Sequence, residues 1–156
     1  MTEINRSLIG TEGEPFEVEI ERGAIRKFVD AIGDTNPLHR DRDYARQHGY
    51  DDVVAPPTFP TCFRPVNDPP WLASLDRRRV VAGQMSFEYV QPITAGMTLT
   101  CRPKLLDVVE KSGAKGTMEL LHQELQGRDA DGNLVFVMGR TTIYRSKEQI
   151  EKRSLA

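Results

Sequence analysis

The chain has 156 residues, of which 38% are hydrophobic and 28% are charged, a balance typical of one soluble domain long enough to bury a core. Its 21 Lys and Arg residues nearly balance its 23 Asp and Glu residues, for a net charge of −2, which excludes the strongly basic surface of a nucleic-acid-binding protein. No apolar run approaches a membrane span and the first residues lack a signal-peptide core, so we expect a cytoplasmic protein with no membrane partner.

The cysteine and histidine content excludes two further classes of protein. Cys62 and Cys101 are too few and too isolated to form a disulfide framework. Together with the three histidines they show no spacing typical of a zinc site. We therefore expect reduced thiols and no bound metal ion.

The first regular elements are a strand and a helix, which follow an irregular lead-in of about 1–14. Residues 16–20 alternate apolar and charged side chains, which predicts a half-buried strand over about 15–21. Gly33 can adopt the left-handed conformation that ends a helix. A helix over about 23–32 is predicted by apolar residues that share one helical face, namely Ile25, Phe28, Val29 and Ile32.

This helix leads into a polar loop, residues 33–39, that carries a carboxylate, a carboxamide and an imidazole. Pro37 disfavours helical geometry at Asn36, so we predict an extended or turn conformation. Such a loop can direct Asp34 and His39 toward one point, as acid–base catalysis requires. Each residue also has an ordinary structural interpretation: an Asx turn at Asp34, a backbone hydrogen bond at Asn36 and a surface position for His39.

A second short helix is predicted from Asp41 or Asp43 to about His48. Acidic residues suit the start of a helix, and Gly49 suits its end. His48 lies four residues after Tyr44, so we interpret it as a surface residue that packs on this helix or interacts with its dipole. It is not a candidate for catalysis.

A core helix is predicted to begin near Thr58, because Thr58 followed by Phe59 and Pro60 is typical of a helix start. Pro65 and the proline-rich cluster at 67–70 interrupt this pattern, so we expect the helix to be short or broken. Residues 71–75 then either resume the helix or form a covering loop.

The second half of the chain has the pattern of strands. Pro103 indicates an edge position or a bulge, and turns are predicted at about 111–116 and 129–133. Consecutive strands separated by turns predict an antiparallel meander and, with the first strand, an α+β fold. The four predicted strands are Val80–Val90, Met97–Val109, Thr117–Gln126 and Leu134–Tyr144. We expect a single domain over 1–146 and a charged tail over 147–156.

The motif Asp-Thr-Asn-Pro-Leu-His at 34–39 resembles the signature of the MaoC-like, or R-specific enoyl-CoA hydratase, family. Residues 54–59, 83–89 and 92–96 are similar to segments of its FAS1-like (MaoC N-terminal) dehydratase subgroup. This resemblance implies a single hotdog fold, in which an antiparallel sheet of five or six strands wraps around a central helix.

The resemblance also implies roles for individual residues and requires no cofactor. Asp34 and His39 would activate a water that adds to an enoyl thioester, or is expelled in the reverse reaction, and Asn36 would orient them. Substrate-binding residues would be Pro57, Thr58 and Phe59. Fully catalytic relatives have a glycine amide in place of Pro57 to bind the thioester oxygen; Pro57 has no amide hydrogen, so the amide of Thr58 or Phe59 would have to replace it.

Three functions are compatible with these features. The first is an (R)-specific enoyl-thioester hydratase or 3-hydroxyacyl-thioester dehydratase that acts on an acyl-CoA or an acyl-carrier-protein thioester. The second is a non-catalytic, acyl-binding hotdog subunit of a heteromeric dehydratase, and the third, disfavoured by the hydration motif, is an acyl-CoA thioesterase. In each case we expect a homodimer or a heterodimer with a second hotdog subunit, because the edge strands need cover.

The run Arg77–Arg79 has two interpretations. Guanidinium groups bind phosphate in a bidentate manner, so the run is suited to the phosphates of coenzyme A or a carrier protein. The alternative, which we favour, is a solvated charged loop.

Overall fold

A computed structural model describes residues 3–114 and 116–147 of the chain. Short 3-10 turns lie between several of the regular elements, and the predicted tail at 147–156 falls outside the described residues from 148 onward. In chain order the regular elements are β1 (Phe16–Glu19), α1 (Arg22–Ile32), α2 (Arg42–Gln47), α3 (Pro70–Ala73), β2 (Val80–Tyr89), β3 (Thr98–Gly113), β4 (Gly116–Arg128) and β5 (Leu134–Arg145).

The strands form one antiparallel sheet in the order β1-β3-β4-β5-β2. The predicted meander is therefore confirmed for β3, β4 and β5 but wrong for β2, which pairs with β5 at the opposite edge. The connection after β2 is not a tight hairpin: its Ile93 carbonyl accepts a hydrogen bond from Ala55, and its Gly96 amide donates to Ile20. These contacts lead the chain across the sheet to its other edge before β3 begins.

Apolar residues on one face of the sheet pack against α1. Ile25 and Val29 of α1 are completely buried, as the helical periodicity predicted, whereas Ile32 is 50% exposed because it lies in the last turn, where Gly33 redirects the chain. The core cluster also contains residues from the turn after Thr58 and from the sheet, including Phe59, Phe63, Leu99, Leu125, Phe136 and Met138.

The central helix predicted to start near Thr58 is reduced to a 3-10 turn, Phe59–Cys62. The side chain of Thr58 makes no capping hydrogen bond. Because prolines lack the amide hydrogen that a helix needs, those at 60, 65, 69 and 70 prevent a continuous helix. The short helix α3 follows, and its Trp71 is buried with the indole Nε1 donating to Gln123 Oε1 at 2.7 Å. The sheet thus encloses α1 and a 3-10 turn.

The edge position predicted for Pro103 is wrong, because β3 lies between β1 and β4; the predicted alternative, a bulge, lies two residues further on, where the β3–β4 register shifts between Leu105 and Asp107. β1 pairs with β3 only as far as Cys101, and beyond it the Pro103 carbonyl accepts a hydrogen bond from the Gly13 amide at 2.8 Å. At the sheet edge opposite β1, β2 pairs with β5 alone among the described strands, and most of its residues are exposed. Among the described residues, no helix is long and apolar enough to cross a membrane.

A substitution at Gly127 tests how tightly the core is packed. A Cβ at this position would overlap the ring of Phe136, so we expect Gly127→Ala to lower the free energy of unfolding by about 1–3 kcal/mol. The matched control is Gly23→Ala in α1, where a Cβ meets nothing within 4 Å; it should leave stability unchanged or raise it by up to about 1 kcal/mol. Urea denaturation measures both, and equal stabilities for the two variants would contradict the described packing.

Candidate active site

The end of α1 shapes the polar loop. Gly33 adopts a left-handed conformation with φ 70°, and the amide of Asp34 then donates to the Val29 carbonyl at 2.9 Å. The Asp34 Oδ1 atom accepts a hydrogen bond from the Asn36 amide at 2.8 Å, which is an Asx turn. This turn uses one carboxylate oxygen of Asp34 and leaves Oδ2 to face the interior of the loop.

Asn36 organises the loop through a second local hydrogen bond. Its Oδ1 accepts from the Leu38 amide at 3.0 Å and thereby caps the 3-10 turn Pro37–His39. The Asn36 side chain is exposed and its hydrogen bond is made to the backbone. Its contribution to the site is therefore to hold the turn that carries His39.

His39 is buried, with 7% of its surface exposed, and both of its ring nitrogens face defined groups. Nδ1 lies 2.6 Å from the Val54 carbonyl, which can only accept, so Nδ1 carries the hydrogen and Nε2 of the neutral ring presents a lone pair. Nε2 lies 3.6 Å from Asp34 Oδ2, too far for a direct hydrogen bond. When the ring is neutral, the pair presents two acceptors side by side, one on the buried ring and one on the partly exposed carboxylate.

The segment Val53–Ala55 holds His39 in place through the hydrogen bond between the Val54 carbonyl and His39 Nδ1. The Val54 amide donates to the Leu38 carbonyl at 2.9 Å, so Val54 is bonded to the polar loop at both its amide and its carbonyl. On its other side the segment is bonded to the connection after β2, through the pairs Ala55–Ile93 and Ala95–Val53.

An ion pair that the sequence did not reveal anchors this segment. The buried carboxylate of Asp52 accepts from Arg22 Nε at 3.0 Å and Nη2 at 2.8 Å, and Arg42 lies 3.2 Å away. The hydrogen bond from Arg22 holds the pKa of the Asp52 carboxyl below its usual range, although burial opposes it. Thirty residues separate Arg22 from Asp52, and no local pattern indicates that they pair.

Arg40 is a second residue that sequence reasoning missed. Its Nε and Nη2 donate to the Asp34 carbonyl at 3.0 and 2.8 Å, and its Nη1 pairs with the Asp30 carboxylate at 2.7 Å. The guanidinium therefore ties the last turn of α1 to the polar loop. Arg40 follows the end of α1 by eight residues, so no local sequence pattern indicates this contact.

The three predicted substrate-binding residues occupy different environments. Pro57 and Thr58 are exposed, whereas the Phe59 ring is buried and packs edge-on against Phe28 and Phe63. The Phe59 amide donates to the Pro56 carbonyl at 2.9 Å and is therefore already used. The Thr58 amide, by contrast, has no hydrogen-bond acceptor within the described part of the chain.

A mostly apolar cavity of about 310 Å³ lies beside these residues. The Tyr89 hydroxyl at its wall donates to the Pro57 carbonyl at 2.6 Å, and burial raises the pKa of Tyr89 to about 12, so this hydroxyl stays protonated. Val54, whose carbonyl is bonded to His39, also lines this cavity. Its lining residues are Val54, Ala55, Pro57, Tyr89, Val90, Gln91, Pro92 and Ile93.

The run Arg77–Arg79 is paired with carboxylates of its own chain. Arg77 bonds to Asp68 and Arg78 to Asp76, both at the surface, as expected of a solvated loop. That interpretation is wrong for Arg79, which is buried, pairs with Glu3 and lies 4.2 Å above the ring of Tyr144. Its long aliphatic stem allows it to pack in the fold while its charge is neutralised.

The remaining candidates stay outside the site. His48 is exposed, stacks on Tyr44 and contacts the Tyr44 carbonyl at 2.7 Å, as predicted. Cys62 and Cys101 are both free. Among the described residues, no group of three or more His, Cys, Asp or Glu side chains is arranged to hold a metal ion.

Comparisons with known proteins agree with this architecture. A model of the family "FAS1-like, dehydratase domain region" matches residues 7–138. A UPF0336 protein of Thermobifida fusca is 42% identical over 129 residues, which cover 78% of this chain and 82% of that relative.

Two similar solved structures come from Mycobacterium tuberculosis. One is the HadBC (3R-hydroxyacyl-ACP dehydratase) complex, with a TM-score of 0.71 and 24% identity over 87% of this chain and 96% of that chain. The other is the ChsH1-ChsH2 complex, with a TM-score of 0.72 and 25% identity over 90% of this chain and 86% of that chain. The chain therefore has a hotdog fold, which it shares with these two complexes.

The ion pair at Asp52 should stabilise the protein in a pH-dependent manner. We expect Asp52→Asn to lower the free energy of unfolding by roughly 1–2 kcal/mol at neutral pH, because Arg22 is half exposed and water screens the pair. Since folding lowers the pKa of Asp52, this stabilisation is present above the usual value of 3.8 and is lost as the pH falls through the folded-state pKa.

Denaturation of wild type and variant between neutral and strongly acidic pH measures this difference. Asp51→Asn is the matched control, because Asp51 is the exposed neighbour, and it should have little effect at any pH. A stability difference for Asp52→Asn that stays constant down to acidic pH would contradict the assigned ion pair.

Proposed function

The chain belongs to the family of the FAS1-like dehydratase domain region, and on that basis we propose that it is an (R)-specific enoyl-thioester hydratase, or in reverse a 3-hydroxyacyl-thioester dehydratase. The observation that carries the proposal is the pair formed by Asp34 Oδ2 and His39 Nε2, which face each other 3.6 Å apart. Two acceptors at this spacing are suited to a single water molecule that donates one hydrogen to each.

The proposed reaction uses this arrangement. In hydration, the oxygen of the bound water bonds to the β-carbon of the enoyl thioester while one of its protons passes to Asp34 or His39. That proton is returned to the α-carbon, so the enzyme ends in its starting protonation state. Dehydration runs through the same steps in reverse. The Val54 carbonyl keeps the hydrogen of His39 on Nδ1, and therefore keeps Nε2 available to the water.

The negative charge that develops on the thioester oxygen needs a donor. Such a donor contributes on the order of 3 kcal/mol to stabilising the transition state. Pro57 has no amide hydrogen and the Phe59 amide is bonded to Pro56, so we assign this role to the exposed amide of Thr58. The apolar cavity beside Pro57 is suited to the acyl chain.

A second candidate function is supported by the same proline. With Pro57 in place of a donor and a 3-10 turn in place of the core helix, the chain is also suited to being an acyl-binding subunit that depends on a catalytic partner. The HadBC and ChsH1-ChsH2 relatives are complexes of two different subunits. In either role the exposed outer edge of β2 supports assembly with a second hotdog chain.

The dyad can be tested by three variants assayed with crotonyl-CoA and longer enoyl-CoA substrates. We expect Asp34→Asn and His39→Ala each to lower the hydration rate by at least about a hundredfold. The double variant should lose little more than either single variant, since both residues hold one water.

The control variant is His48→Ala, which removes the exposed histidine and should leave the rate unchanged. Loss of the conjugated enoyl thioester is followed by absorbance, and circular dichroism checks that each variant is folded. Near-normal rates for both single variants in an active preparation would show that the chemistry takes place elsewhere.

Experiments on the purified protein distinguish the two candidate functions and test the proposed dimer. We expect purified protein to hydrate crotonyl-CoA without a partner and to sediment as a dimer at micromolar concentration. Activity that emerges only after a second hotdog chain is added would support the accessory role instead. A monomer in sedimentation would contradict the proposed assembly at the β2 edge.

A further inference from the structure

The peptide group that joins Pro57 to Thr58 lies at the centre of a β-turn. The turn runs from Pro56 to Phe59 and is closed by the Phe59 amide, which donates to the Pro56 carbonyl at 2.9 Å. Thr58 has φ −97° and ψ 3°, which are the angles of the third residue of a type I turn, and proline is favoured as the second residue. Pro56 and Phe59 are buried, so both ends of the turn are anchored in the core.

The bond that closes this turn does not by itself fix the central peptide group. It uses only the carbonyl of the first residue and the amide of the fourth. The β-branched side chain of Thr58 disfavours the type II alternative, which needs a positive φ, but the peptide plane can still tilt. Tyr89 restrains this tilt, because its hydroxyl donates to the Pro57 carbonyl at 2.6 Å.

A planar peptide links the direction of its carbonyl to that of its amide. The bond between Pro57 and Thr58 is trans, so the Thr58 N–H points away from the side on which the Pro57 carbonyl lies. The hydrogen bond from Tyr89 therefore sets the direction of the Thr58 amide hydrogen as well. It also polarises the peptide group, which makes the amide a stronger donor.

Tyr89 is itself held by the sheet. It is the last residue of β2 and is paired with Phe136 of β5, and the centroids of the two rings lie 6.3 Å apart. Directly after it, the Val90 amide donates to the Val135 carbonyl at 2.9 Å. The hydroxyl that contacts the turn is therefore carried by a hydrogen-bonded strand, which gives it a defined position.

We propose that Tyr89 is a positioning residue for the hydration reaction, and that it orients the Thr58 amide toward the thioester oxygen through the Pro57 carbonyl. This inference rests on the proposed function, which assigns the Thr58 amide its role. Tyr89 acts through the peptide group and transfers no proton. Because the thioester oxygen gains its negative charge in the transition state, loss of the Tyr89 hydroxyl should affect kcat more than KM.

The first test is the variant Tyr89→Phe, which keeps the ring beside Phe136 and removes only the hydroxyl. We expect kcat with crotonyl-CoA to fall about three- to tenfold, the effect of losing one hydrogen bond. KM should stay within about twofold of the wild-type value. Tyr44→Phe is the matched control, because Tyr44 stacks on His48 outside the site, and it should leave both constants unchanged.

An ester in place of the Thr58 amide tests whether Tyr89 acts through this group. Incorporation of the α-hydroxy acid analogue of threonine removes the amide hydrogen, which the closing bond of the turn does not use. It should lower kcat about a hundredfold. In that background Tyr89→Phe should cause little further loss, because the donor that it positions is gone. A further loss of about three- to tenfold would overturn the proposal.

The nuclear magnetic resonance signal of the Thr58 amide gives a readout that needs no turnover. We expect Tyr89→Phe to shift the Thr58 amide nitrogen resonance and Tyr44→Phe to leave it unchanged. An unchanged resonance, or a normal kcat for Tyr89→Phe beside an active wild type, overturns this inference alone. An inactive wild type overturns the proposed function instead, and the catalytic role of Tyr89 with it.

Discussion

The hydrogen bond between His39 Nδ1 and the Val54 carbonyl is the contact on which the candidate site depends. It fixes the tautomer of the imidazole, and it attaches the polar loop to the segment Val53–Ala55. That segment is held in turn by the connection after β2 and by the ion pair at Asp52. The geometry of Asp34 and His39 is therefore set by contacts from three separate parts of the chain. Such support is what keeps catalytic groups within the narrow tolerances that acid–base chemistry requires.

The break in the core helix has consequences on both sides of the molecule. Near the dyad, Pro57 removes one backbone donor and leaves the Thr58 amide exposed. Beyond the 3-10 turn, the proline-rich segment leaves a cavity over the sheet, where Arg140 has no acceptor. A continuous helix would supply backbone donors near the dyad and pack its side chains into this space. In its place the described part of the chain has two polar features without a hydrogen-bond partner, the Thr58 amide and two nitrogens of Arg140.

Features determined by local sequence could be predicted, and features determined by distant contacts could not. The helix α1, its end at Gly33 and the turn through Asn36 follow from periodicity and turn chemistry within a few residues. The pairing of β2 with β5, the Arg22–Asp52 ion pair and the burial of Arg140 each join residues far apart in sequence. The 3-10 turn after Thr58 lies between these cases. The prolines predicted a short or broken helix, but they did not predict that the helix is reduced to a single 3-10 turn.

The central claim is that water is added to the β-carbon of an acyl thioester at the Asp34–His39 pair. The most direct measurement incubates the protein with an enoyl-CoA in water that carries a heavy oxygen isotope and locates the label by mass spectrometry. Our account predicts one heavy oxygen, in a hydroxyl group on the β-carbon, with the thioester intact and its carbonyl unlabelled. A label in a free carboxylate together with released coenzyme A, which is the result of thioester hydrolysis, would contradict it, as would a product without label.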